Sequence, residues 1–307
     1  MTNNKIHIEL TTRCPLACSA CARTTWKNTT NKSVPKQDLD IMVLDQFLDC
    51  DAGRKIEIFE LCGDYGDAIY YPKLFDFIRH FRDTKTFRIH TNGSYQTKNF
   101  WTTLSQLLGP DDTIIFGIDG LEDTHHLYRK NADWQSIMLG IDIMGKSCVK
   151  IIWKTIIFKF NYESLDKIQT FAESKGAHFI TTMTMTHRFG DNSLMPPDEF
   201  ILTYYLYKKE YSDNMIFKIV PQCESECVVT ANGYFLPCDW IRYPKTFYKS
   251  QLWQQPTRWM DKLKMSDTTL EQAMLVVKDW SQYVRESSIH HPNEVSDICK
   301  MKCREGC

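Results

Sequence analysis

The chain has 307 residues, 43% of them hydrophobic and 24% charged, which is the composition of an ordinary globular protein. Its 37 basic and 38 acidic residues give a formal charge of −1, so no overall field attracts it to nucleic acid or anionic membranes. No apolar run approaches the roughly 18 residues of a membrane-spanning helix, and no signal-peptide pattern opens the sequence. These observations predict a cytoplasmic protein and give no support for a membrane or nucleic-acid partner.

Strand and helix patterns alternate over the first 187 residues. Apolar residues recur at every second position in Lys55–Leu61, as in a strand, and at helical spacing in Lys73–Phe81. The predicted elements, in chain order, are strand Lys5–Leu10, helix Asp38–Cys50, strand Lys55–Leu61, helix Lys73–Phe81, strand Thr86–Ile89, helix Phe100–Leu108, strand Thr113–Ile118, helix Ala132–Lys146, strand Lys150–Phe160, helix Ser164–Lys175 and strand Phe179–Met185. This alternation indicates an α/β fold of parallel units, a partial (β/α)6 TIM-like barrel, although a doubly wound sheet fits nearly as well.

Nine of the 12 cysteines lie in three triplets, which is the dominant fact about cysteine usage. The triplets are Cys14, Cys18 and Cys21 (C-x3-C-x2-C), Cys223, Cys227 and Cys238 (C-x3-C-x10-C), and Cys299, Cys303 and Cys307 (C-x3-C-x3-C). In a reducing compartment such clustering favours metal binding over disulfides. The first triplet directly follows the first predicted strand, and three thiolates can hold three irons of a [4Fe–4S] cluster while the fourth iron stays open. The alternatives are a zinc site with a fourth ligand elsewhere, or unrelated buried thiols.

With this triplet at the end of its first strand, the chain resembles the radical S-adenosylmethionine (SAM) superfamily. In that superfamily the residues that contact SAM lie at the ends of the following strands. The matching positions here are Gly66 and Asp67 after the second strand, Asn92 in Thr91-Asn92-Gly93 after the third, Asp119 in Asp119-Gly120 after the fourth, and Asn161 after the fifth. The residue before the third cysteine lies near the adenine and is commonly aromatic, but here it is Ala20. The resemblance implies that Asp67 faces the methionyl amine, with Asn92 and Asp119 near the carboxylate and the ribose.

The C-terminal third resembles the SPASM and twitch extensions of that superfamily. Cys223, Gly233 and Cys238 have the C-x9-G-x4-C spacing, and Gly233 lies in a turn between the predicted strands Val228–Thr230 and Phe235–Leu236. A predicted helix, Thr269–Tyr283, follows. Six cysteines suit one auxiliary [4Fe–4S] cluster better than two. Its ligands are then Cys238, one or both of Cys223 and Cys227, and one or two of Cys299, Cys303 and Cys307. A structural zinc site is the alternative.

The resemblance implies three regions: a barrel over residues 1–187, a linker over residues 188–218, and an auxiliary-cluster domain over residues 219–307. It also implies an oxidoreductase or modifying enzyme that cleaves SAM reductively to a 5′-deoxyadenosyl radical. That radical takes hydrogen from a small-molecule or peptide substrate, with electrons from a flavodoxin- or ferredoxin-type donor. Two other classes remain open: a zinc-stabilised binding protein, and an iron–sulfur electron-transfer protein without SAM chemistry.

Two features bear on the substrate site. Only 13 residues precede Cys14, which disfavours an N-terminal peptide-recognition domain and weakens the case for a peptide. The loop after the fourth strand carries His125 and His126, which we expect to be solvated. Tyr128 and Arg129 in the same loop are candidates for contact with the cofactor or the substrate.

Overall fold

The computed structural model describes residues 4–19, 21–25, 36–63, 65–183, 194–198, 227–237 and 259–290. The chain divides into two compact units. The terminal unit comprises Met1–Thr11, Gln37–Glu60 and Ile216–Cys307, and the middle unit comprises Thr12–Lys36 and Leu61–Met215. The domain boundaries expected near residues 187 and 218 stay a prediction.

The described elements follow the predicted order. They are β1 Lys5–Ile8, α1 Ala22–Thr25, α2 Ile41–Leu48, α3 Asp51–Arg54, β2 Ile58–Leu61, α4 Leu74–Phe81, β3 Thr86–Thr91, α5 Lys98–Leu107, β4 Thr113–Gly117, α6 Trp134–Met144, β5 Lys150–Ile157, α7 Leu165–Ser174, β6 His178–Met183, β7 Val228–Val229, β8 Phe235–Leu236 and α8 Leu270–His290. Every strand and helix predicted up to β6 is present, so the α/β fold class is confirmed. None of the described helices is both long enough and apolar enough to cross a membrane.

The middle unit is built on the parallel strands β3, β4, β5 and β6, which pair in that order. The helices α5, α6 and α7 connect successive strands, as in βαβ units. The core holds large apolar side chains with almost no exposed surface: Phe77, Phe87, Trp101, Phe116 and Trp153. Because the strands run in one direction, the loops that follow β3, β4 and β5 lie at the same edge of the sheet.

The end of β5 shows how a side chain stops a strand. The sequence pattern predicts a strand as far as Phe160, yet β5 ends at Ile157. The main-chain N–H of Phe158 donates to Oδ1 of Asn161 at 2.9 Å and is therefore not available to a neighbouring strand. Apolar composition alone could not reveal this competition.

The terminal unit contains strands in the order β2, β1, β7 and β8. β1 pairs in parallel with β7, and β7 pairs antiparallel with β8, which confirms the predicted hairpin. The helix α2 begins after Asp40, whose carboxylate accepts a hydrogen bond from the main-chain N–H of Met42 at 2.9 Å. The helix α8 extends seven residues beyond the predicted end at Tyr283, since it ends at His290.

Candidate active site around Cys14, Cys18 and Cys21

The cysteine loop, residues 13–21, lies in an apolar setting in the middle unit. Cys18 is 7% exposed and packs in a buried cluster with Leu16, Tyr128, Phe158 and Leu194. The side chains of Cys14 and Cys21 are partly buried and lie against the same cluster. Ala20 lies outside the described residues, so its predicted place near the adenine stays a prediction.

Burial strongly disfavours thiolates at this loop in the absence of a bound cation. It raises the pKa of the Cys18 thiol to about 12 and raises that of Cys14 further. A thiolate ligand is nevertheless the form that binds iron or zinc, and a bound metal deprotonates its thiols. A cation bound by these three sulfur atoms would supply the positive charge that offsets the burial of the thiolates.

Main-chain carbonyl groups anchor the loop to its surroundings. The buried guanidinium of Arg23 donates to the carbonyl oxygens of Thr12 and, at 2.8 Å, of Tyr65. The main-chain N–H of Ala17 donates to the carbonyl oxygen of Lys130 at 3.0 Å. The cysteine loop is thus tied both to the turn that contains Tyr65 and to the loop after β4.

Asp67 forms the centre of the first group of predicted SAM contacts. Its carboxylate accepts hydrogen bonds from the main-chain N–H groups of Ile69 (3.1 Å) and Asn92 (2.6 Å), from Thr91 Oγ1 (3.2 Å) and from Asn92 Nδ2 (2.5 Å). Its own N–H donates to the carbonyl oxygen of Arg13 at 3.0 Å. Burial raises the pKa of Asp67 to about 6, against the opposing effect of these donors. Asp67 therefore joins the turn before Ile69 to the end of β3 and orients the amide of Asn92.

The amide of Asn92 faces the first cysteine. Its Nδ2 lies 3.6 Å from the Sγ atom of Cys14, and its Oδ1 accepts from the hydroxyl of Tyr70 at 3.3 Å. The next residue, Gly93, has a φ of +73°, and a Cβ there would lie 2.9 Å from the ring of Phe116. Only glycine fits this turn without strain, and the turn holds Asn92 beside the cysteine loop.

The second group of predicted contacts centres on Asp119, which is fully buried. Its carboxylate accepts from Arg129 Nε at 2.6 Å and from the main-chain N–H of Ile156 at 2.7 Å. Its own N–H donates to Nδ1 of His125 at 3.1 Å. Arg129 precedes Lys130, whose carbonyl oxygen accepts the hydrogen bond from Ala17, and its positive charge opposes the rise in the pKa of Cys18 that burial causes. Asp119 thus reaches the cysteine loop through Arg129.

Asn161 and Gly66 have different surroundings. Asn161 is 1% exposed, and its Nδ2 donates to the carbonyl oxygens of Asp119 and Ile156, each at 2.9 Å. Its amide therefore holds the loops after β4 and β5 together. Gly66 is partly buried and directly precedes Asp67.

The structure brings together some of the predicted site residues. Asp67 and Asn92 lie near Cys14. Asp119 contacts Arg129, which lies in the loop that is hydrogen-bonded next to Cys18. Five of the predicted auxiliary-cluster ligands lie outside the described residues: Cys223, Cys238, Cys299, Cys303 and Cys307. Cys227 belongs to the terminal unit, where it is 4% exposed and its Sγ atom lies 3.9 Å from the carbonyl oxygen of Pro237.

Sequence reasoning missed two side chains that organise the site, Arg23 and Tyr70. Arg23 follows the third cysteine by two residues, where an arginine gives no sign of burial. Tyr70 is part of Ala68-Ile69-Tyr70, a single helical turn that begins after Asp67. Three residues are too few for a periodic pattern, so the position of its hydroxyl could not be predicted.

The expectation that His125 is solvated is wrong, since this side chain is 2% exposed, whereas its neighbour His126 is exposed. Nδ1 accepts the hydrogen bond from Asp119 N, so the proton is on Nε2, which has no hydrogen-bond partner among the described residues. Burial and the nearby guanidinium of Arg129 lower the pKa of His125 to about 3. The histidine is therefore neutral in the folded protein.

This burial predicts a pH-dependent loss of stability. Below pH 6.5 the histidine takes up a proton in the unfolded chain but not in the folded one, so stability falls as pH falls from about 6.5 towards about 3. Between pH 6.5 and pH 5 we expect His125 to lower the free energy of unfolding of the wild-type protein by about 2 kcal/mol. The His125→Asn variant should not show this decrease. Urea unfolding at both pH values measures the difference. The matched control is His126→Asn, which should keep the wild-type pH dependence; an unchanged dependence in His125→Asn would contradict the assignment.

Comparison with known proteins finds similarity in structure alone. No protein-family model matches the chain, and no curated protein is similar to it. Streptococcus suis SuiB bound to S-adenosylmethionine matches with a TM-score of 0.56 and 12% identity over 82% of this chain and 64% of SuiB. The protein anSMEcpe, solved with AdoMet and the Cp18Cys peptide, matches with a TM-score of 0.57 and 14% identity over 97% of this chain and 85% of its own.

At these identities the likeness concerns the fold. It confirms the predicted α/β fold class, which this chain shares with SuiB and anSMEcpe. The chain spans about 64% of the length of SuiB.

Proposed function

We propose that this chain is a radical SAM enzyme that binds SAM at a [4Fe–4S] cluster held by Cys14, Cys18 and Cys21. The observation that carries the proposal is the position of the cysteine loop, with Asn92 beside Cys14 and Arg129 beside Cys18. These groups lie at the ends of parallel strands, and the fold is shared with proteins solved with SAM bound. When bound and reduced, the cluster supplies the electron that converts SAM to methionine and a 5′-deoxyadenosyl radical.

The residues of the loop fit an iron–sulfur cluster better than a single zinc ion. A zinc ion needs its sulfur ligands to converge at about 2.3 Å from one point, whereas each thiolate of a four-iron cluster binds a different iron. A hydrogen-bond donor near a sulfur atom, the Nδ2 group of Asn92 at 3.6 Å from Sγ of Cys14, is also suited to a cluster.

The chain itself orients SAM and excludes water. Asp67 holds Asn92 in a fixed position through three hydrogen bonds to this residue and its neighbour Thr91. We propose that Gly66, Asp67 and Asn92 lie around the methionyl group, with Asp119 on the ribose side. The buried aromatic side chains of Tyr128 and Phe158, with ring centres 4.7 Å apart, line the loop and keep water from the cysteines.

A peptide is the first substrate class to test, and a small molecule is the second. SuiB has been solved with its precursor peptide SuiA, with a TM-score of 0.55 to this chain, and anSMEcpe has been solved with the Cp18Cys peptide. The radical would take a hydrogen atom from an unactivated carbon of such a substrate. The one-electron donor is of the flavodoxin or ferredoxin type.

We also propose an auxiliary [4Fe–4S] cluster in the terminal unit. Cys227 begins the hairpin of β7 and β8, and its sulfur lies near Pro237, the residue that precedes Cys238 in the sequence. This proximity supports Cys227 as a ligand together with Cys238, whereas the C-x9-G-x4-C spacing favours Cys223. The remaining ligands come from Cys223, Cys299, Cys303 and Cys307.

Anaerobic purification followed by a metal count tests the proposal. We expect about eight irons and matching sulfide per chain. We also expect 5′-deoxyadenosine to form when the reduced protein is incubated with SAM. Zinc with negligible iron would contradict the proposal in favour of a structural zinc protein. Iron without 5′-deoxyadenosine would contradict it in favour of electron transfer alone.

A further inference from the structure

Arg129 is held in one position by its neighbours in the middle unit. Nε donates to Oδ2 of Asp119 at 2.6 Å, and Cζ lies 5.2 Å from the centre of the Tyr128 ring. The main-chain N–H of Arg129 donates to the carbonyl oxygen of His125 at 3.1 Å. The side chain of Arg129 is 20% exposed and that of Asp119 is fully buried. The two therefore form a fixed pair of opposite charges, the Arg129–Asp119 pair, shielded from most of the solvent.

The last residue of β4 provides the space for this guanidinium. A Cβ atom at Gly117 would lie 2.9 Å from Nη2 and 3.3 Å from Cζ of Arg129. Any side chain at this position would therefore displace the guanidinium from its present place. The glycine at the strand end allows the charge to approach the main chain closely.

The pair lies directly beside one cysteine of the proposed cluster. The carbonyl oxygen of Lys130, the residue after Arg129, accepts a hydrogen bond at 3.0 Å from the N–H of Ala17, the residue before Cys18. The positive charge of Arg129 attracts a thiolate at Cys18, while the carboxylate of Asp119 repels it more weakly. Cys18 also packs in the same buried cluster as Tyr128, whose ring lies against the guanidinium. Both charges of the pair thus act on the same sulfur atom through a medium with little water.

We propose that the Arg129–Asp119 pair sets the reduction potential of the cluster held by Cys18, an inference that rests on the proposed function. Arg129 raises the potential and Asp119 lowers it. The step concerned is the transfer of one electron from a flavodoxin- or ferredoxin-type donor, which is oxidised, to the cluster, which is reduced. Arg129 and Asp119 take no part in bond making.

The sign of each effect follows from the charge that reduction adds. The reduced cluster carries one more negative charge than the oxidised cluster, so a fixed positive charge nearby favours reduction and a fixed negative charge opposes it. Because the two charges have opposite signs, removal of Arg129 should lower the reduction potential, whereas removal of the Asp119 charge should raise it.

Redox titration of the full-length, anaerobically reconstituted protein without SAM tests the proposal. The cluster is followed by electron paramagnetic resonance, and its signal is identified in a separate sample as the one that changes when SAM is added. At the wild-type midpoint potential, we expect Arg129→Gln to lower the ratio of reduced to oxidised cluster roughly threefold or more, and Asp119→Asn to raise it. Gly117→Ala, which leaves the charges in place and displaces the guanidinium, should lower the ratio by less than Arg129→Gln.

The middle unit offers a matched control in a second arginine–aspartate pair. Arg82 Nη2 lies 2.5 Å from Oδ2 of the fully buried Asp112, which precedes β4 and therefore lies at the opposite end of that strand from Asp119. Arg82→Gln removes the same charge and also leaves a buried carboxylate. It should leave the potential unchanged even if it destabilises the fold.

Three results would overturn the inference. The first is a shift of the reduction potential with the same sign in Arg129→Gln and Asp119→Asn. The second is an unchanged potential in variants that carry the fully assembled cluster. The third is a shift of the potential that appears only when SAM is present. If Arg129→Gln does not fold, the opposite signs expected for Asp119→Asn and Gly117→Ala still decide the question. A wild-type protein without any SAM-responsive cluster signal would instead overturn the proposed function itself.

Discussion

Replacing Cys14, Cys18 and Cys21 together with alanine is expected to remove about four irons per chain and to reduce the formation of 5′-deoxyadenosine to background. The three thiols lie in one loop, and each would bind a different iron of the proposed cluster. Without them the proposed cluster could not assemble, so we expect both the binding and the cleavage of SAM to fail. Iron analysis and chromatography of the reaction products measure the two effects.

Matched variants separate this loss from general damage to the protein. Cys148 is an exposed cysteine in the same unit, so Cys148→Ala should keep all irons and full cleavage. The variant Cys227→Ala should keep the cleavage of SAM while it loses iron from the auxiliary cluster. Retention of SAM cleavage by the triple variant would rule out the assigned cluster.

The second large effect is expected at Asp67. Its carboxylate accepts four hydrogen bonds in a buried setting, three of them from Thr91 and Asn92. In Asp67→Ala these donors lose their partner, and we expect the free energy of unfolding to fall by about 3 kcal/mol. Asn92 also loses its orientation beside Cys14, so we expect SAM cleavage to fall on the order of 100-fold, because small misplacements in an active site are costly.

Unfolding curves and initial rates of SAM cleavage check the Asp67 prediction. Asp76 is a suitable control, since its carboxylate is 70% exposed and pairs with Arg79 in the same helix. We expect Asp76→Ala to change the free energy of unfolding by less than about 1 kcal/mol and to leave cleavage unaffected. If Asp67→Ala were destabilised but cleaved SAM at the wild-type rate, Asp67 would have a structural role only.

The order of elements was predictable because each carries its own pattern. In β3 every second residue is buried, including the apolar Phe87 and Ile89. In α4 the apolar residues recur at helical spacing and are buried: Leu74, Phe77, Ile78 and Phe81. Burial of one face is a local property of the chain. The ends of the elements were less predictable. The strand β5 stops at Ile157 because the side-chain amide of Asn161, four residues later, accepts a hydrogen bond from the N–H of Phe158.

The candidate site was predictable to the extent that its residues follow strands. Asp67, Asn92, Asp119 and Asn161 were predicted because they match positions that follow strands in the superfamily that the chain resembles, and each lies in the segment that follows a strand here. Their partners were not predictable. The amide of Asn161 bonds the main chain at Asp119 and Ile156, and His125 is buried beside Asp119 although it lies in a polar stretch of sequence.

The sequence by itself determined the cysteine triplet, the alternation of strands and helices, and the hairpin, because spacing and periodicity encode these locally. Only the tertiary structure decided that Asn92 faces Cys14 and that Arg129, paired with Asp119, lies beside Cys18. These contacts join loops that are about 80 and 110 residues apart in the chain. Such contacts depend on how parallel strands align their ends, and no local pattern carries that information.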